Sequence, residues 1–165
     1  MELSFLNFLQ SLHHPLIDAL MVFFTKLGNG AMVWLMFAGY FYFYKKDKKM
    51  ATQILVGLLM TVLIGAFILK PIFMRARPFN FLENITLLIK APIDYSFPSG
   101  HTATSVVCSY LISCRYKKLR IVVIPLAVLI AFSRMYIGVH YPTDILGGVV
   151  LGIVCGMVIR KYSKS

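Results

Sequence analysis

The sequence predicts an all-α membrane protein, a polytopic bundle of about five transmembrane helices with interfacial helices at its N-terminus. Hydrophobic residues make up 59% of the 165 residues, against roughly 45–50% in soluble domains. Charged residues account for only 14%, and the mean hydropathy is +0.77. A small soluble domain buries only about 60–70% of its chain surface and would leave too much of this apolar surface in water. These values exclude a soluble monomer and a disordered chain, and the length predicts a single domain over 1–165.

Five stretches are apolar and long enough, or nearly so, to cross the hydrocarbon core, which takes about 20 helical residues. They cover roughly 30–44, 51–69, 99–114, 119–137 and 143–160. The segment 1–28 before them is also apolar, but His13, His14, Pro15, Asp18 and Lys26 interrupt it. We expect this segment to form one or two amphipathic helices at the membrane interface. A sixth span, short or re-entrant, is the alternative.

The charge pattern predicts the orientation of these helices. The net charge of +11 comes from 17 basic and 6 acidic residues, a balance that in a soluble protein would indicate nucleic-acid binding. In a membrane protein, basic residues mark cytoplasmic loops. Five crossings place eleven of them on one side: Lys45, Lys46, Lys48, Lys49, Arg115, Lys117, Lys118, Arg120, Arg160, Lys161 and Lys164. The partner that these charges imply is therefore a membrane, with no nucleic acid, and the loop 70–98 faces outward.

Three polar clusters lie at the outer ends of the predicted spans, at 70–78, 98–101 and 133–144. The chain makes no crossing between the first and the second cluster, and two crossings between the second and the third. All three clusters therefore reach the same membrane face, where they can form one site. Ionisable residues at membrane depth are costly and generally functional.

The residue types in these clusters indicate phosphate chemistry. Lys70, Arg77 and Arg134 are three cations with too few acids to match them, and a guanidinium group suits phosphate oxygens. Ser99 and Gly100 open a helix, whose free N–H groups also favour a phosphate. Glycine at position 100 allows the backbone to approach the ligand closely. Together these residues predict an anion-binding site.

Two histidines complete the site. Asp144 follows His140 by four residues near the start of the last span, so its carboxylate can bind one ring nitrogen and leave the other free to attack. His101 remains as the acid that protonates a leaving oxygen. A covalent phosphohistidine would divide hydrolysis into two displacements, each stabilised by the cations. Independent membrane anchors would have no reason to share one face with this set.

Other residues have simpler explanations. Cys108, Cys114 and Cys155 lie in apolar stretches without metal-site or disulfide spacing, so no metal and no cofactor are expected. The glycines at 148, 152 and 156 predict a close helix contact.

Four features of the outer face are expectations of lower specificity. Arg75 is open between a phosphate contact and a headgroup contact. Glu83 and Asp94 are expected to be solvated. The segment 79–97, with Phe79, Phe81 and Phe97, is a candidate lid.

At these clusters the sequence resembles the type 2 phosphatidic acid phosphatase (PAP2) superfamily. The family signature, K-x6-RP, PSGH and SR-x5-H-x3-D, stands complete at 70–78, 98–101 and 133–144. The resemblance implies an all-helical membrane phosphatase that needs no metal. It assigns phosphate binding to Lys70, Arg77, Ser99, Gly100 and Arg134. It makes His140 the nucleophile, Asp144 the residue that orients it, and His101 the general acid.

Within that family, the short length and the pattern of residues 12–24 resemble bacterial undecaprenyl pyrophosphate phosphatases of the bacitracin-resistance type. In that group the second motif often reads PSDH, whereas this chain has Gly100. The resemblance implies hydrolysis of undecaprenyl pyrophosphate to undecaprenyl phosphate through a phosphohistidine, in cell-wall synthesis. The multi-pass enzyme would lie in a bacterial plasma membrane with its active site on the extracytoplasmic face.

Several alternatives remain open at the level of sequence. Phosphatidylglycerophosphate, phosphatidic acid, diacylglycerol pyrophosphate and lipid A are the other candidate substrates. A phosphotransferase would pass the phosphoryl group to an acceptor other than water. A lipid transporter or anion channel would explain the three cations but not the His140–Asp144 pair and His101. The sequence carries no prediction of oligomeric state.

Overall fold

Eight α-helices form the framework of residues 1–82 and 85–163, the part of the chain that the computed structural model describes. They are α1 (Glu2–Ser11), α2 (Pro15–Gly28), α3 (Met32–Gly39), α4 (Lys48–Val62), α5 (Lys70–Phe73), α6 (Gly100–Arg115), α7 (Arg120–Tyr136) and α8 (Pro142–Tyr162). The described residues contain no β-strand, and the predicted all-α class is confirmed. Glu83 and Lys164, assigned above to a solvated loop and to the cytoplasmic side, lie outside the described residues.

Two of the helices continue into wider, π-helical turns. Tyr40–Tyr44 extend α3, and Leu63–Leu69 join α4 directly to α5. The Asp47 carboxylate caps the start of α4, where its Oδ1 accepts a hydrogen bond from the Met50 amide at 3.0 Å. Turns of the π type are uncommon and often lie beside functional sites. The second π-helical segment joins α4 and α5 into one long rod, and Lys70 is the first residue of α5.

The central helix of the bundle is α6, which packs against α4, α7 and α8. Val107, Cys108 and Ile112 on this helix are fully buried. Four of its polar residues, Thr102, Thr104, Ser105 and Ser109, are buried as well. Ser105 Oγ accepts a hydrogen bond at 3.0 Å from the indole Nε1 of Trp34 in α3. Because neighbouring helices shield α6 from lipid, it can carry polar groups that a lipid-facing helix could not.

Among the described residues, four helical stretches are long and apolar enough to cross a membrane. They are Pro15–Tyr44, Lys48–Asn80, Lys117–Tyr136 and Pro142–Tyr162. The first is bent at Gly30 and Ala31, which both have positive φ, so α2 and α3 are separate helices. The central helix α6, at 16 residues, is shorter than these stretches. The protein is thus a multi-pass membrane protein, and the count of about five spans stays a prediction.

The N-terminal helices cover the end of the bundle where α7 stops and α8 starts. Tyr136, the last residue of α7, donates a hydrogen bond from its hydroxyl to Asp18 Oδ1 of α2 at 2.6 Å. Leu6 and Leu9 of α1 pack with Tyr141, which precedes α8. The assignment of 1–28 to the membrane interface stays a prediction, and this position places it next to the site described below.

The glycine stripe of α8 packs directly on α6. A Cβ atom added at Gly148 would lie 2.7 Å from the Ser99 carbonyl oxygen, and one added at Gly152 would lie 2.8 Å from the Ala103 carbonyl oxygen. Real Cβ atoms do not come so close to a carbonyl oxygen, so only glycine permits this helix spacing. The predicted close contact is confirmed, and it fixes the start of α6 against the start of α8.

We therefore expect Gly152→Ala to destabilise the fold. The added methyl group would overpack the α6–α8 contact, which typically costs about 1–3 kcal/mol. Gly39→Ala is the matched control, because no atom lies within 4 Å of a Cβ added at that helical position. Unfolding midpoints in detergent should fall for Gly152→Ala and hold or rise slightly for Gly39→Ala. Equal midpoints for the two variants would show that the stripe does not set the helix spacing.

Candidate active site

The three sequence motifs meet at one cavity of about 570 Å³ at the end of the bundle where α6 begins and α7 ends. Six of the eight predicted site residues line it: Lys70, Arg77, Gly100, His101, Arg134 and His140. The other two, Ser99 and Asp144, are fully buried. The structure thus brings together groups that lie far apart in the sequence, at one end of the bundle.

Three cations form one side of this cavity. Lys70 is the first residue of α5, Arg77 follows α5 and Arg134 lies in the last turn of α7. Their exposed fractions are 8%, 4% and 3%. The Arg134 Nη1 donates to Thr25 Oγ1 of α2 at 2.5 Å. Its Nε is buried and has no hydrogen-bond partner among the described residues. An unpartnered buried N–H group is costly, and an anion in the cavity would satisfy it.

Two backbone carbonyl oxygens, from two different loops, hold the Arg77 guanidinium. Its Nε donates to the Asp94 carbonyl oxygen at 2.8 Å, and its Nη1 donates to the Val139 carbonyl oxygen at 2.7 Å. These bonds fix the guanidinium plane and place Nη1 3.4 Å from His140 Nε2. A cation and a candidate nucleophile therefore face the same space.

The expectation that Asp94 is solvated is wrong. Its carboxylate binds Lys70 Nζ through Oδ2 and accepts a hydrogen bond from Arg77 Nη2 at 2.7 Å, although the side chain remains half exposed. Burial alone would raise the pKa of Asp94, but Lys70 and Arg77 outweigh it and lower the pKa to about 2. The physical reason is the excess positive charge of the cavity, which attracts the nearest carboxylate of the loop.

The predicted pair of His140 and Asp144 is present. His140 lies between α7 and α8 with its Nδ1 3.4 Å from Asp144 Oδ2. The same carboxylate oxygen accepts hydrogen bonds from the Tyr141 amide at 2.8 Å and from the Ser96 hydroxyl. Because Nδ1 is directed to Asp144, Nε2 is the ring nitrogen left for chemistry in the cavity.

The surroundings of His140 keep its imidazole neutral. Burial lowers the pKa of His140 to about 3, against the opposing effect of Asp144, and the charges of Arg134 and Arg77 add to the lowering. A neutral imidazole has a free electron pair at physiological pH, which a nucleophile requires.

The other histidine is held by the turn between α2 and α3. His101 Nε2 lies 3.0 Å from Asn29 Oδ1. A Cβ atom added at Gly28 would lie 2.6 Å from His101 Cδ2, so glycine is required where this turn passes over the ring. The sequence identifies the Gly-Asn-Gly segment as a turn but gives no sign of its contact with His101.

The two residues that open α6 differ in their exposure. Ser99 Oγ caps the helix and accepts hydrogen bonds from the Thr102 amide at 3.5 Å and the Thr102 hydroxyl at 3.0 Å. Gly100 is exposed and lines the cavity, and no atom lies within 4 Å of a Cβ added there. The predicted phosphate-binding roles of both residues stay predictions.

Sequence reasoning missed Ser96 and left Arg75 open. Ser96 is fully buried, and its hydroxyl lies 3.5 Å from His140 Nδ1 while it donates to Asp144. Arg75 donates from Nη1 to Asp144 Oδ1 at 2.7 Å, so it contacts the His140–Asp144 pair. The only sequence signal for Ser96 is its place just before the motif 98–101.

A second, apolar cavity of about 510 Å³ adjoins the first and shares Lys70, Asp94, Gly100 and His101 with it. It runs between α3 and α4, where its lining includes Leu35, Leu55 and Leu59. These leucines are about half exposed on the sides of the bundle. The polar cavity is thus continuous with an apolar groove that can hold a hydrocarbon chain.

Comparison with known proteins decides the family. Residues 50–165 match the model of the PAP2 superfamily. The chain belongs to this superfamily. It is 34% identical over 139 residues to an undecaprenyl-diphosphatase of Sulfolobus acidocaldarius, covering 82% of this chain and 66% of the relative. It is 28% identical over 155 residues to the undecaprenyl-diphosphatase BcrC of Bacillus subtilis, covering 92% and 77%.

The fold comparison agrees with the family. The crystal structure of Aquifex aeolicus LpxE superposes with a TM-score of 0.81 at 29% identity and covers 98% of this chain and 95% of that one. The predicted family, fold class and enzyme class are confirmed: the protein is a helical membrane phosphatase of the PAP2 superfamily, a phosphoric ester hydrolase. The chain spans 66% of the length of the Sulfolobus relative.

We expect Asp94→Asn to strengthen the binding of orthovanadate, a phosphate mimic. The Asp94 carboxylate occupies donors of Lys70 and Arg77 that an anion in the cavity would use. A partly exposed ion pair is worth on the order of 1 kcal/mol, so the inhibition constant should fall about fivefold. Asp47→Asn is the control, since that carboxylate pairs with Arg115, outside the cavity. An unchanged or weaker affinity for vanadate in Asp94→Asn would show that the carboxylate does not compete with the anion.

Proposed function

We propose that the protein hydrolyses undecaprenyl pyrophosphate to undecaprenyl phosphate and inorganic phosphate through a phosphohistidine at His140. One observation carries the proposal. Three buried cations, one of them with an unpartnered Nε, line the cavity that also contains the His140–Asp144 pair. A cavity of this kind attracts a phosphate and holds a nucleophile beside it.

The substrate assignment rests on two further observations. The apolar groove between α3 and α4 opens from the phosphate cavity, so a lipid chain can lie there while its phosphate reaches His140. The two relatives named above are both undecaprenyl-diphosphatases. An isoprenoid diphosphate agrees with this similarity, and the groove can take the part of its chain next to the diphosphate.

The first displacement follows from the geometry of the pair. The Nε2 electron pair of His140 attacks the terminal phosphorus, and the bond from that phosphorus to the bridging oxygen breaks. The leaving group is undecaprenyl phosphate, and His101 protonates its oxygen. Asp144, bound to Nδ1, stabilises the positive charge that the imidazole gains.

The second displacement returns the enzyme to its starting state. His101, now without its proton, accepts one from a water molecule, whose oxygen attacks the phosphorus. The N–P bond breaks, its electron pair returns to Nε2, and inorganic phosphate leaves. In both steps Lys70, Arg77 and Arg134 bind the phosphoryl oxygens, with Ser99 and Gly100 at the start of α6.

We further propose that this site faces the outside of a bacterial plasma membrane. Basic residues at the ends of three helices, α4, α6 and α8, gather in another part of the bundle. Lys49, Arg115 and Arg160 line one small cavity there, and Arg115 binds Asp47 at 2.5 Å. The concentration of positive charge predicts that this part is cytoplasmic, which leaves the phosphate cavity on the extracytoplasmic side.

A substrate panel tests the assignment. Purified protein should release phosphate from undecaprenyl pyrophosphate with a higher kcat/KM than from phosphatidylglycerophosphate, phosphatidic acid, diacylglycerol pyrophosphate or lipid A. The reason is the similarity of the chain to two undecaprenyl-diphosphatases. Each reaction is followed by phosphate release and by lipid product analysis, which also detects transfer to an acceptor other than water. An equal or higher value for a glycerolipid or lipid A would reassign the substrate.

His140→Ala should abolish turnover, because neither displacement can proceed without Nε2. Quenching of the wild-type protein in alkaline detergent, which preserves the acid-labile N–P bond, during turnover of ³²P-labelled substrate should trap label on histidine, and His140→Ala should trap none. His14→Ala is the matched control, since that histidine is exposed at the start of α2, and it should keep full activity. Turnover without trapped label would refute the covalent mechanism, and label without turnover in any variant would identify a blocked second step.

A further inference from the structure

We infer that Arg75 and Glu2 are positioning residues that hold the Asp144 carboxylate in the plane required by His140. The inference rests on the proposed function of the His140–Asp144 pair. It adds two side chains to the phosphatase site and connects the N-terminal helix α1 to catalysis.

Arg75 bridges Asp144 and α1. Its Nη1 donates to Asp144 Oδ1 at 2.7 Å and lies 2.6 Å from Thr143 Oγ1, while its Nη2 donates to Glu2 Oε2 at 2.7 Å. The guanidinium carbon lies 3.9 Å from the centre of the Tyr141 ring, in cation–π contact. The Tyr141 ring packs on the face of the guanidinium, and the two carboxylates bind its N–H groups, so the guanidinium has a single orientation. This orientation fixes the position of the Asp144 oxygen that it binds.

The bonds to Asp144 are divided between its two oxygens. Oδ2 faces His140 Nδ1 and accepts hydrogen bonds from Tyr141 and Ser96, whereas Oδ1 accepts from Arg75. Because Tyr141 and Ser96 hold only Oδ2, a donor at Oδ1 is needed to fix the plane of the carboxylate, and Arg75 supplies it. Asp144 is also fully buried, and a buried carboxylate requires a cation nearby. Arg75 meets both requirements.

Glu2 fixes Arg75 from the opposite side. Its Oε1 accepts hydrogen bonds from the Thr143 amide at 3.0 Å and from the Thr143 hydroxyl at 2.8 Å, so it also caps the first turn of α8. These bonds hold the pKa of the Glu2 carboxyl below its usual value against the effect of burial, with a further contribution from Arg75. The carboxylate therefore stays ionised and paired with Arg75.

A direct role for Arg75 in binding substrate does not fit its position. The cations that line the phosphate cavity are Lys26, Lys70, Arg77, Lys90 and Arg134, and the described lining of that cavity does not include Arg75. Its guanidinium is committed to two carboxylates. Loss of Arg75 should therefore affect the chemical steps and leave phosphate binding intact.

The test is the steady-state kinetics of Arg75→Gln on the best substrate of the panel. We expect kcat to fall about 10- to 100-fold, the range for residues that orient a functional side chain. KM and the inhibition constant of vanadate should change less than about twofold. A residue that contacts substrate would instead raise KM and weaken vanadate. Arg120→Gln is the matched control on the first turn of α7, at the opposite end of that helix from Arg134, and it should leave both parameters unchanged.

Glu2→Gln and the double variant test the connection to α1. Glu2→Gln should lower kcat in the same direction but less, and the double variant should be no slower than Arg75→Gln, because Glu2 acts through Arg75. Additive losses in kcat would refute that connection. Unfolding midpoints report the separate contribution of Glu2 as a helix cap, which does not depend on Arg75.

Two results would overturn the inference: an unchanged kcat in Arg75→Gln, or a raised KM with normal kcat. If Arg75→Gln does not fold, Arg75→Lys decides the question, since it keeps the cation but cannot bridge both carboxylates; we expect reduced kcat with normal KM. The wild-type protein separates this inference from the proposed function. Absence of phosphate release by the wild type would refute the proposed function, whereas normal wild-type turnover with unaffected variants would refute the positioning role alone.

Discussion

The structure depends on an unbalanced set of buried charges. Three cations lie at one end of an apolar bundle, and the described residues offer them one half-exposed carboxylate, Asp94. Burying a cation without a partner costs several kcal/mol, and the fold limits this cost by recruiting neighbours. The loop before α6 supplies Asp94 and its carbonyl oxygen to Arg77, and α2 supplies Thr25 to Arg134. The remaining imbalance is the physical basis of our proposal that the cavity binds an anion.

The close packing of α8 on α6 positions two of the three motifs that form the cavity. Glycines on α8 bring its backbone against α6, so the Ser99 amide can donate to the Asp144 carbonyl oxygen at 3.0 Å. That bond connects the motif that opens α6 with the motif that opens α8. Since the helices meet at backbone distance, no flexible side chain separates the start of α6 from the start of α8. A rigid frame of this kind holds catalytic groups within the narrow limits that displacement at phosphorus demands.

The meeting of the three motifs could be predicted from sequence, because the hydropathy pattern predicts an even number of crossings between them. Residues of 70–78, 98–101 and 133–144 do line one cavity, and their residue types predict phosphate chemistry. The partners of Arg75, by contrast, could not be predicted from sequence. Arg75 lies two residues before Arg77 in a segment that is neither helix nor strand, so no side-chain periodicity predicts the direction of either residue. In the structure Arg77 lines the cavity and Arg75 binds Glu2 of α1, and composition alone does not distinguish them.

Asp94 escaped prediction for a different reason. A single carboxylate in a loop carries no periodic signal. Asp94 pairs with Lys70 and Arg77 because the fold brings these two cations close to the loop. Under the proposed function, a phosphate bound to Lys70 and Arg77 would need the donors that Asp94 occupies, so one anion would replace another. The two cations would then be paired both before and after substrate binds, which avoids the free energy of leaving a buried cation without a partner. On this proposal, return of the Asp94 carboxylate to the same donors would favour release of the product phosphate.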